Sequence, residues 1–423
     1  MEVFVCRYIA HKAQKLFPTQ ESPCKNAPFT NIYKIYQQSE IVKGELMEIY
    51  VVRGGDSLYG IARRYGTDAA ELARINQLND PARLVPGMAL LVPGGGTADR
   101  RAVEVNAYAY PAISDAVMAE TMPYLTFFCP FCYQADAAGG LLPIEDARMI
   151  AAAYADNAAP LLTVTNLGRS GGFSGEIAHA LFTDKTAQDA LFENIFSVLR
   201  MKNYYGVNFN IEYVYPYDRD SYSQFLRRAA DELHPRGYFL STAIAPKESA
   251  EQEGLLYTAH DYAAHGRYAD RVIIMTYEWG YTYSAPQAVS PVNRMRRVLE
   301  YAVGEIPPGK ILMGFSNYGY SWRLPWRQGD AATVISNAAA MNLAASAGAE
   351  IKFDRTAQAP FFTYTDAAGV RRVVWFEDAR SVRARLELVN EYGLAGISCW
   401  TVNQLYRPGL ELLQGMFDAE KVI

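Results

Sequence analysis

The chain has 423 residues, half of them hydrophobic, which is enough for a large barrel or for several smaller domains. Its 40 lysines and arginines against 45 aspartates and glutamates leave a formal charge of -5, so the composition supports neither a nucleic-acid partner nor a polybasic membrane patch. Five scattered cysteines argue against a disulfide framework. The sequence also lacks an apolar run of about 18 residues, which argues against a membrane span.

Residues 1–46 have a mixed composition and no sustained periodicity. We interpret them either as a disordered N-terminal extension or as the product of a start codon chosen upstream of Met47, which would itself make a sensible start. Arg7 and Lys12 interrupt any apolar core near the N-terminus, a pattern that is not typical of a signal peptide.

Residues 47–93 show the pattern strand, helix, helix, strand of a very small βααβ domain. Gly66 is placed to end the first helix, and Asp56 or Ser57 to cap its start. The segments 50–58 and 85–93 resemble a LysM (lysin motif) module. This resemblance implies binding of a glycan that contains N-acetylglucosamine, such as peptidoglycan or chitin. The expected groove is formed by two loops, with Gly55, Asp56, Ser57, Asn79, Asp80 and Pro81 as its binding residues.

Residues 94–101 begin with three glycines and are predicted to be a short flexible linker. Beyond it, in residues 102–423, strand-like apolar runs alternate with helix-like stretches. Continuous apolar runs are typical of parallel strands covered by helices, and eight such units predict an α/β fold, the (β/α)8 TIM barrel. The runs are 103–110, 125–129, 161–165, 207–212, 239–245, 272–277, 311–315 and 395–400. The long interval after the seventh run, residues 322–377, predicts a small α+β insertion that contains a hairpin.

The fourth run carries polar residues at every second position. On a strand, alternate side chains share one face, so Asn208, Asn210 and Glu212 are expected to point the same way. Burying a polar side chain without a partner costs about 1 to 3 kcal/mol, which makes three in a row an improbable accident of packing. The pattern therefore predicts a site, with Glu212 at its outer end.

In such barrels the chemistry lies at the C-terminal ends of the strands. The polar and aromatic residues expected there, besides those of the fourth strand, are Asn166, Lys247, Tyr277, Glu278, Asn317, Tyr318 and Trp400. This set offers no histidine cluster, no Ser-His-Asp arrangement and no phosphate-binding glycine loop. It predicts neither a metal nor a cofactor and suits glycoside cleavage, with Glu212 protonating a leaving oxygen and Trp400 under a sugar ring.

Several segments resemble glycoside hydrolase family 18, and within it the spore-associated branch that carries LysM modules: 206–213, 275–281, 314–322, 375–381 and 396–400. The resemblance implies substrate-assisted hydrolysis, in which the 2-acetamido carbonyl of the sugar attacks the anomeric carbon and no second carboxylate serves as nucleophile. It further implies Glu212, Asn210 and Tyr277 as catalytic residues. The substrate-binding residues that it implies are Trp400, Glu278, Asn208, Asn317 and Tyr318.

The fourth-strand motif departs from the family pattern Asp-x-x-Asp-x-Asp-x-Glu, because Asn208 and Asn210 replace two of its aspartates. An amide accepts a hydrogen bond from the acetamido N–H but carries no charge. The related family 85 endo-N-acetylglucosaminidases resemble this chain in pairing asparagine with the catalytic glutamate, so the pair is compatible with this chemistry.

We therefore expect a glycosidase that cleaves β-1,4 bonds at N-acetylglucosamine in spore cortex peptidoglycan. The alternatives are a catalytically weak or inactive glycan-binding protein of the spore or cell wall, and a chitin-type hydrolase. We expect the partner to be peptidoglycan or a related glycan, the protein to be a monomer, and its location to be the spore or cell wall. Asn166, Lys247 and Asn317 are left open between sugar contacts and structural residues of the barrel rim.

Overall fold

The computed structural model describes residues 47–94, 100–168 and 171–423. The predicted N-terminal extension and most of the predicted linker lie outside these residues.

The first domain has the predicted βααβ order. Its elements are β1 (Glu48–Val51), α1 (Leu58–Tyr65), α2 (Ala69–Ile75) and β2 (Ala89–Val92), with the two strands antiparallel. Helix α1 starts where the Ser57 side chain accepts a hydrogen bond from the Gly60 N–H, and ends at Gly66 in the left-handed conformation. The buried Asn76 side chain bonds both Leu91 backbone groups and so joins α2 to β2.

Eight parallel strands form a closed barrel, as predicted. They are β3 (Arg101–Ala109), β4 (Phe127–Pro130), β7 (Ala159–Thr165), β8 (Gly206–Asn210), β9 (Phe239–Ile244), β10 (Arg271–Ile274), β11 (Ile311–Ser316) and β17 (Gly396–Trp400). Strand β3 closes the ring because it pairs with both β4 and β17. Two short strands after β4, β5 (Tyr133–Ala135) and β6 (Leu141–Leu142), form a hairpin, and β18 (Phe417–Ala419) pairs with the start of β3.

Helices surround the barrel and bury their apolar stripes against the strands. They are α3 (Asp115–Thr121), α4 (Ala147–Ala155), α5 (Gly175–Thr183), α6 (Lys185–Lys202), α7 (Arg219–Leu233), α8 (Tyr262–Tyr268), α9 (Val292–Glu305), α11 (Ala379–Glu391) and α12 (Arg407–Met416). Among all the helices in the described ranges, none combines the length and the apolar character needed to cross a membrane.

The predicted insertion is present between β11 and α11. It consists of β12 (Tyr318–Arg323), β13 (Thr333–Ser336), α10 (Asn337–Ser346), β14 (Lys352–Asp354), β15 (Ala359–Thr365) and β16 (Arg371–Trp375). The strands form an antiparallel sheet in the order β13-β12-β16-β15-β14, and β15 with β16 is the predicted hairpin. The insertion begins at Tyr318, four residues before the predicted limit, so its first strand starts directly at the barrel mouth.

The first domain and the insertion share one hydrophobic core. Buried side chains of the first domain, including Val52 and Met88, lie in the same cluster as Met341, Ile351 and Phe362 of the insertion. Burial of apolar surface contributes roughly 25 cal/mol per Å², so a shared core holds the two units together.

Hydrogen bonds to the backbone of the first domain reinforce this contact. The Ile351 N–H of the insertion donates to the Pro86 carbonyl (3.0 Å). The Arg380 guanidinium, on α11 of the barrel, donates to the Gly87 carbonyl (3.0 Å) while it also pairs with Asp378 (2.6 Å). The first domain is therefore packed on the insertion and also contacts α11 of the barrel.

Candidate active site

The Asn166 side chain holds the backbone of Glu212 at the mouth of the barrel. Strand β8 ends at Asn210, two residues earlier than predicted, and the Asn166 amide takes over where strand pairing stops. Its Nδ2 donates to the Glu212 carbonyl (2.7 Å), and its Oδ1 accepts from the Glu212 N–H (3.0 Å). Nδ2 also donates to the Ser174 carbonyl (2.9 Å). Asn166, which the sequence left open, is thus a support for Glu212 that is itself fully buried.

The surroundings of the Glu212 carboxyl favour its protonated form. Burial, reinforced by the negative charge of Glu278, raises the pKa of Glu212 to about 8. The residue is half-buried, so part of its surface stays open to solvent. A protonated carboxyl that opens onto a cleft can act as a general acid.

Two tyrosines of the insertion hold Glu278, which lies in the loop after the sixth barrel strand, β10. The Tyr320 hydroxyl donates to Glu278 (3.0 Å to Oε1), and the Tyr318 hydroxyl donates to the same oxygen. Burial raises the pKa of Glu278 to about 7, although both hydroxyls stabilise its charged form. Glu278 has a left-handed backbone (φ 66°), a conformation that is unusual for residues other than glycine. Such a conformation is found preferentially at functional sites.

The two asparagines of the fourth strand differ in their surroundings. Asn208 is fully buried inside the barrel, where its Oδ1 accepts from the Tyr108 hydroxyl (2.8 Å) and its Nδ2 donates to Ser241 Oγ (2.8 Å). Both polar atoms of Asn208 are therefore bonded within the barrel, and its contact with a substrate stays a prediction. Asn210 is 3% exposed, and its Oδ1 has no hydrogen-bond partner among the described residues. A buried acceptor of this kind is costly unless a ligand satisfies it.

Tyr277 lies three residues beyond the end of β10, which is shorter than the predicted run 272–277, and Trp400 is the last residue of β17. The pKa of Tyr277 is held well above its usual range, first by burial and then by the charges of Glu212 and Glu278, so its hydroxyl remains a donor. The Trp400 ring meets the edges of Phe131 (centroids 4.7 Å apart) and Tyr108 (5.4 Å). Edge-to-face contacts of this kind fix the orientation of an aromatic ring.

Two further predicted residues have structural contacts. The Asn317 side chain donates to the carbonyls of Thr401 (3.3 Å) and Gln404 (2.6 Å), so it fixes the loop that follows Trp400. Lys247 is buried, with its ammonium near the His260 carbonyl (3.4 Å) and over the Tyr262 ring. Asn317 therefore supports the loop after Trp400, and Lys247 packs against the α8 side of the barrel.

No pattern in the sequence singles out His260, which supports the segment that carries Glu212. Its Nδ1 accepts from the Ala245 N–H (2.9 Å), which leaves the proton on Nε2 to donate to the Ile211 carbonyl (3.2 Å). Burial lowers the pKa of His260 to about 4, so the ring stays neutral and both bonds persist. From the sequence alone, a buried histidine that hydrogen-bonds the backbone cannot be distinguished from one that only packs in the core.

The predicted groove residues of the first domain lie on two loops. Asp56 accepts from the Tyr50 hydroxyl and the Arg53 N–H (both 2.7 Å), and the latter bond contributes most to lowering the pKa of Asp56. Ser57 is the helix cap described above. On the second loop, Asp80 Oδ1 accepts from the Ala82 N–H (3.1 Å). The remaining predicted residues, Gly55, Asn79 and Pro81, are exposed.

The cleft thus combines a protonated carboxyl, a second carboxyl held by two tyrosines, a buried unpaired acceptor, a tyrosine donor and an aromatic floor. In the part of the chain that the structure describes, no group of three or more His, Cys, Asp and Glu residues is placed to hold a metal ion. The arrangement provides acid–base chemistry next to polar and aromatic groups of the kind that bind a sugar.

The comparisons with known proteins agree with this geometry. Residues 163–404 match the model of glycosyl hydrolases family 18, and residues 50–93 match the LysM domain. The cortical fragment-lytic enzyme of Bacillus subtilis (strain 168) is 42% identical, and the aligned region covers 89% of this chain and 99% of that protein.

Solved structures give the same result. The crystal structure of the Bacillus megaterium QM B1551 spore cortex-lytic enzyme SleL aligns with a TM-score of 0.84 and 32% identity, covering 90% of this chain and all of that one. A chitinase from Chromobacterium violaceum ATCC 12472 aligns with a TM-score of 0.70 and 27% identity, covering 74% of this chain and 98% of that one. With a family match over more than half of its length, the chain belongs to glycosyl hydrolases family 18 and is a glycosidase that carries a LysM domain.

Proposed function

We propose that this glycosidase cleaves β-1,4 bonds at N-acetylglucosamine in spore cortex peptidoglycan, by substrate-assisted catalysis that retains the anomeric configuration. The support for the substrate is the similarity to cortical fragment-lytic enzymes along nearly their whole length, together with the LysM domain. The support for the chemistry is Glu212, whose backbone is held by Asn166, whose side chain is half-buried, and whose pKa burial raises to about 8.

In the proposed first step, Glu212 donates its proton to the leaving glycosidic oxygen while the acetamido oxygen of the same sugar attacks the anomeric carbon. The acetamido N–H donates to the unpaired Oδ1 of Asn210, and the Tyr277 hydroxyl donates to the acetamido oxygen. Trp400 stacks under the reacting sugar. In the second step the Glu212 carboxylate takes a proton from the water that opens the cyclic intermediate, which restores the starting state.

Glu278, Tyr318 and Asn317 complete the proposed site. Glu278 and Tyr318 would contact the sugar from the insertion side of the cleft, where they already bond each other. Asn317 would act through the loop that it fixes after Trp400. Asn208 would support the site from within the barrel, through its bonds to Tyr108 and Ser241.

Product analysis tests the proposal. The purified protein is incubated with spore cortex fragments and, separately, with chitin oligosaccharides, and the products are identified by mass spectrometry. We expect cortex fragments that end in a reducing N-acetylglucosamine. Products from chitin alone would instead favour a chitin-type hydrolase, the second candidate, which the structural similarity to the C. violaceum chitinase supports.

The LysM domain is proposed to hold the enzyme on the glycan, with Gly55, Asp56 and Ser57 on one side of its groove and Asn79, Asp80 and Pro81 on the other. Because the Asp56 and Ser57 side chains close their own loop, the first side would present mainly backbone groups to a sugar. This placement fits an enzyme of the spore cortex or cell wall that acts as a monomer.

The pH dependence of kcat/KM should reflect the interaction between Glu212 and Glu278. Activity needs protonated Glu212, so kcat/KM should fall as the pH rises through about 8. Neutralising the neighbouring charge by Glu278→Gln should lower the pKa of Glu212 and move this alkaline limb to lower pH. The exposed Glu253 provides the control: Glu253→Gln should leave the limb in place. An unmoved limb in Glu278→Gln would contradict the proposed coupling.

Asn210→Ala should remove the acceptor that we assign to the acetamido N–H. Losing one hydrogen bond to a buried group costs about 1 to 3 kcal/mol, so kcat/KM should fall about 5- to 150-fold. Steady-state kinetics on a soluble cortex fragment measure this, with Asn390→Ala on the exposed face of α11 as the matched control. Equal kcat/KM in Asn210→Ala and the parent would show that Oδ1 does not bind the substrate.

A further inference from the structure

The second loop of the LysM domain, between α2 and β2, is held by the insertion. The Asn342 side chain on α10 donates from Nδ2 to the Gln77 carbonyl (2.8 Å), and its Oδ1 accepts from the Asn79 N–H (2.8 Å). The same Nδ2 donates to the Ala338 carbonyl within α10 (2.8 Å), which fixes the rotamer of the amide. One side chain of the insertion therefore pairs with backbone groups on both sides of Leu78.

A second anchor comes from the segment that enters α12. The Gln77 side chain donates from Nε2 to the Leu405 carbonyl (3.1 Å), and its Oε1 accepts from the Arg407 N–H (2.9 Å). Gln77 has a left-handed backbone (φ 51°), a conformation that costs about 1 to 2 kcal/mol for a residue with a side chain. Contacts from outside the LysM domain thus stabilise an unfavourable conformation within its loop.

The first loop of the groove is built differently. Its bonds come from within the domain, from Tyr50 and Arg53 to Asp56 and from Gly60 to Ser57. The two walls of the expected groove therefore have different origins: the domain itself shapes the first wall, and the catalytic part of the chain holds the second.

We propose that the insertion and the segment that enters α12 position the second loop of the LysM glycan site. Asn342 and Gln77 are the positioning residues, and the loop carries Asn79, Asp80 and Pro81. The inference rests on the proposed glycan binding by the LysM domain and extends it. Preorganisation of a binding loop raises affinity. When only a fraction of the molecules have the loop in its binding conformation, the apparent affinity is reduced by that fraction. Affinity of the LysM domain for N-acetylglucosamine oligomers then depends on side chains outside that domain.

Nuclear magnetic resonance on the full chain tests this, because backbone amide signals separate the LysM groove from the catalytic cleft. The parent carries Glu212→Gln so that the probe, the hexasaccharide of N-acetylglucosamine, is not hydrolysed. The Kd is taken from the shifts of the Gly55 and Asp80 amides during titration. The test variants are Asn342→Ala and Gln77→Ala, which remove the two anchors separately.

We expect each variant to raise this Kd about five- to tenfold while the melting temperature stays close to that of the parent. Ser346→Ala is the matched control, since Ser346 lies on the same helix and its hydroxyl donates to the Leu343 carbonyl of that helix; its Kd should equal that of the parent. Parent-like Kd values in both test variants would overturn the proposal. A parent that shows no shifts at these amides would overturn it together with glycan binding by the LysM domain, whereas catalysis by Glu212 is judged separately by product analysis.

Discussion

Replacing Glu212 with glutamine is expected to abolish most of the hydrolysis while the glycan still binds. Glutamine keeps the size of the side chain and leaves the backbone clamp from Asn166 in place, but it has no proton of carboxylic acidity to give to the leaving oxygen. Removing a positioned general acid typically lowers the rate about 10²- to 10⁴-fold, so kcat should fall by at least about 10²-fold.

The measurement is the rate of product formation from cortex fragments, followed by mass spectrometry, beside the Kd for the same fragments. Glu253→Gln, a change of the same chemistry at an exposed site, should keep the parental rate. Turnover by Glu212→Gln at the parental rate would remove Glu212 from the proposed mechanism.

The same variant has a signature in stability. The pKa of Glu212 is raised to about 8 in the folded protein, so folding favours the protonated form. Stability from this group is therefore greatest below its ordinary pKa and is lost as the pH rises through about 8. Glu212→Gln should lose less stability than the parent between about pH 5 and about pH 9 in urea titrations. A structural glutamate without a raised pKa would not give this difference.

Most of the fold could be read from the sequence because its signals are local. Most barrel strands are continuous apolar runs, and the first LysM helix is bounded by the Ser57 cap and by Gly66. The end of β8 was predicted two residues late, since the alternation of polar residues continues through Glu212 while the hydrogen-bonded ladder stops at Asn210. The periodicity of a sequence indicates which way the side chains point. It does not indicate where the backbone hydrogen bonds to the neighbouring strand end.

The supports of the site were not predictable in the same way. The Asn166 amide pairs with a residue 46 positions later, and His260 bonds the Ile211 carbonyl 49 positions earlier. Asn208 shows the opposite limit, because its position on the strand predicts its inward direction but not that Tyr108 and Ser241 use both of its polar atoms. Such pairings depend on how the barrel closes.

The three glycines before the barrel suggested a LysM domain on a flexible linker, whereas the described residues show that domain packed on the insertion. Nothing local in the sequence indicates this contact, because each partner surface reads as the apolar face of an ordinary helix or strand. The Val85-Pro86-Gly87 turn belongs to the LysM resemblance. It also contacts the backbone of the insertion, because the Ile351 N–H donates to the Pro86 carbonyl.

Gly87→Ala should therefore separate two packed units and not merely strain one turn. Gly87 is in the left-handed region (φ 83°), and a Cβ added there would lie 1.8 Å from the Ile351 carbonyl oxygen, an overlap with backbone that no rotamer can relieve. We expect the variant to lose about 3 kcal/mol or more of unfolding free energy, in the range of core disruptions, because the shared cluster must open. Urea denaturation followed by circular dichroism measures this loss.

Gly66→Ala provides the matched control. Gly66 has the same left-handed backbone (φ 64°) in the same domain, but an added Cβ would meet no atom within 4 Å, so this change should cost only the conformational strain of about 1 to 2 kcal/mol. A larger loss in Gly87→Ala than in Gly66→Ala measures the docking of the LysM domain on the insertion. Equal losses would mean that the domain behaves as an independent unit on its linker, since a steric clash across a contact matters only when that contact exists in solution.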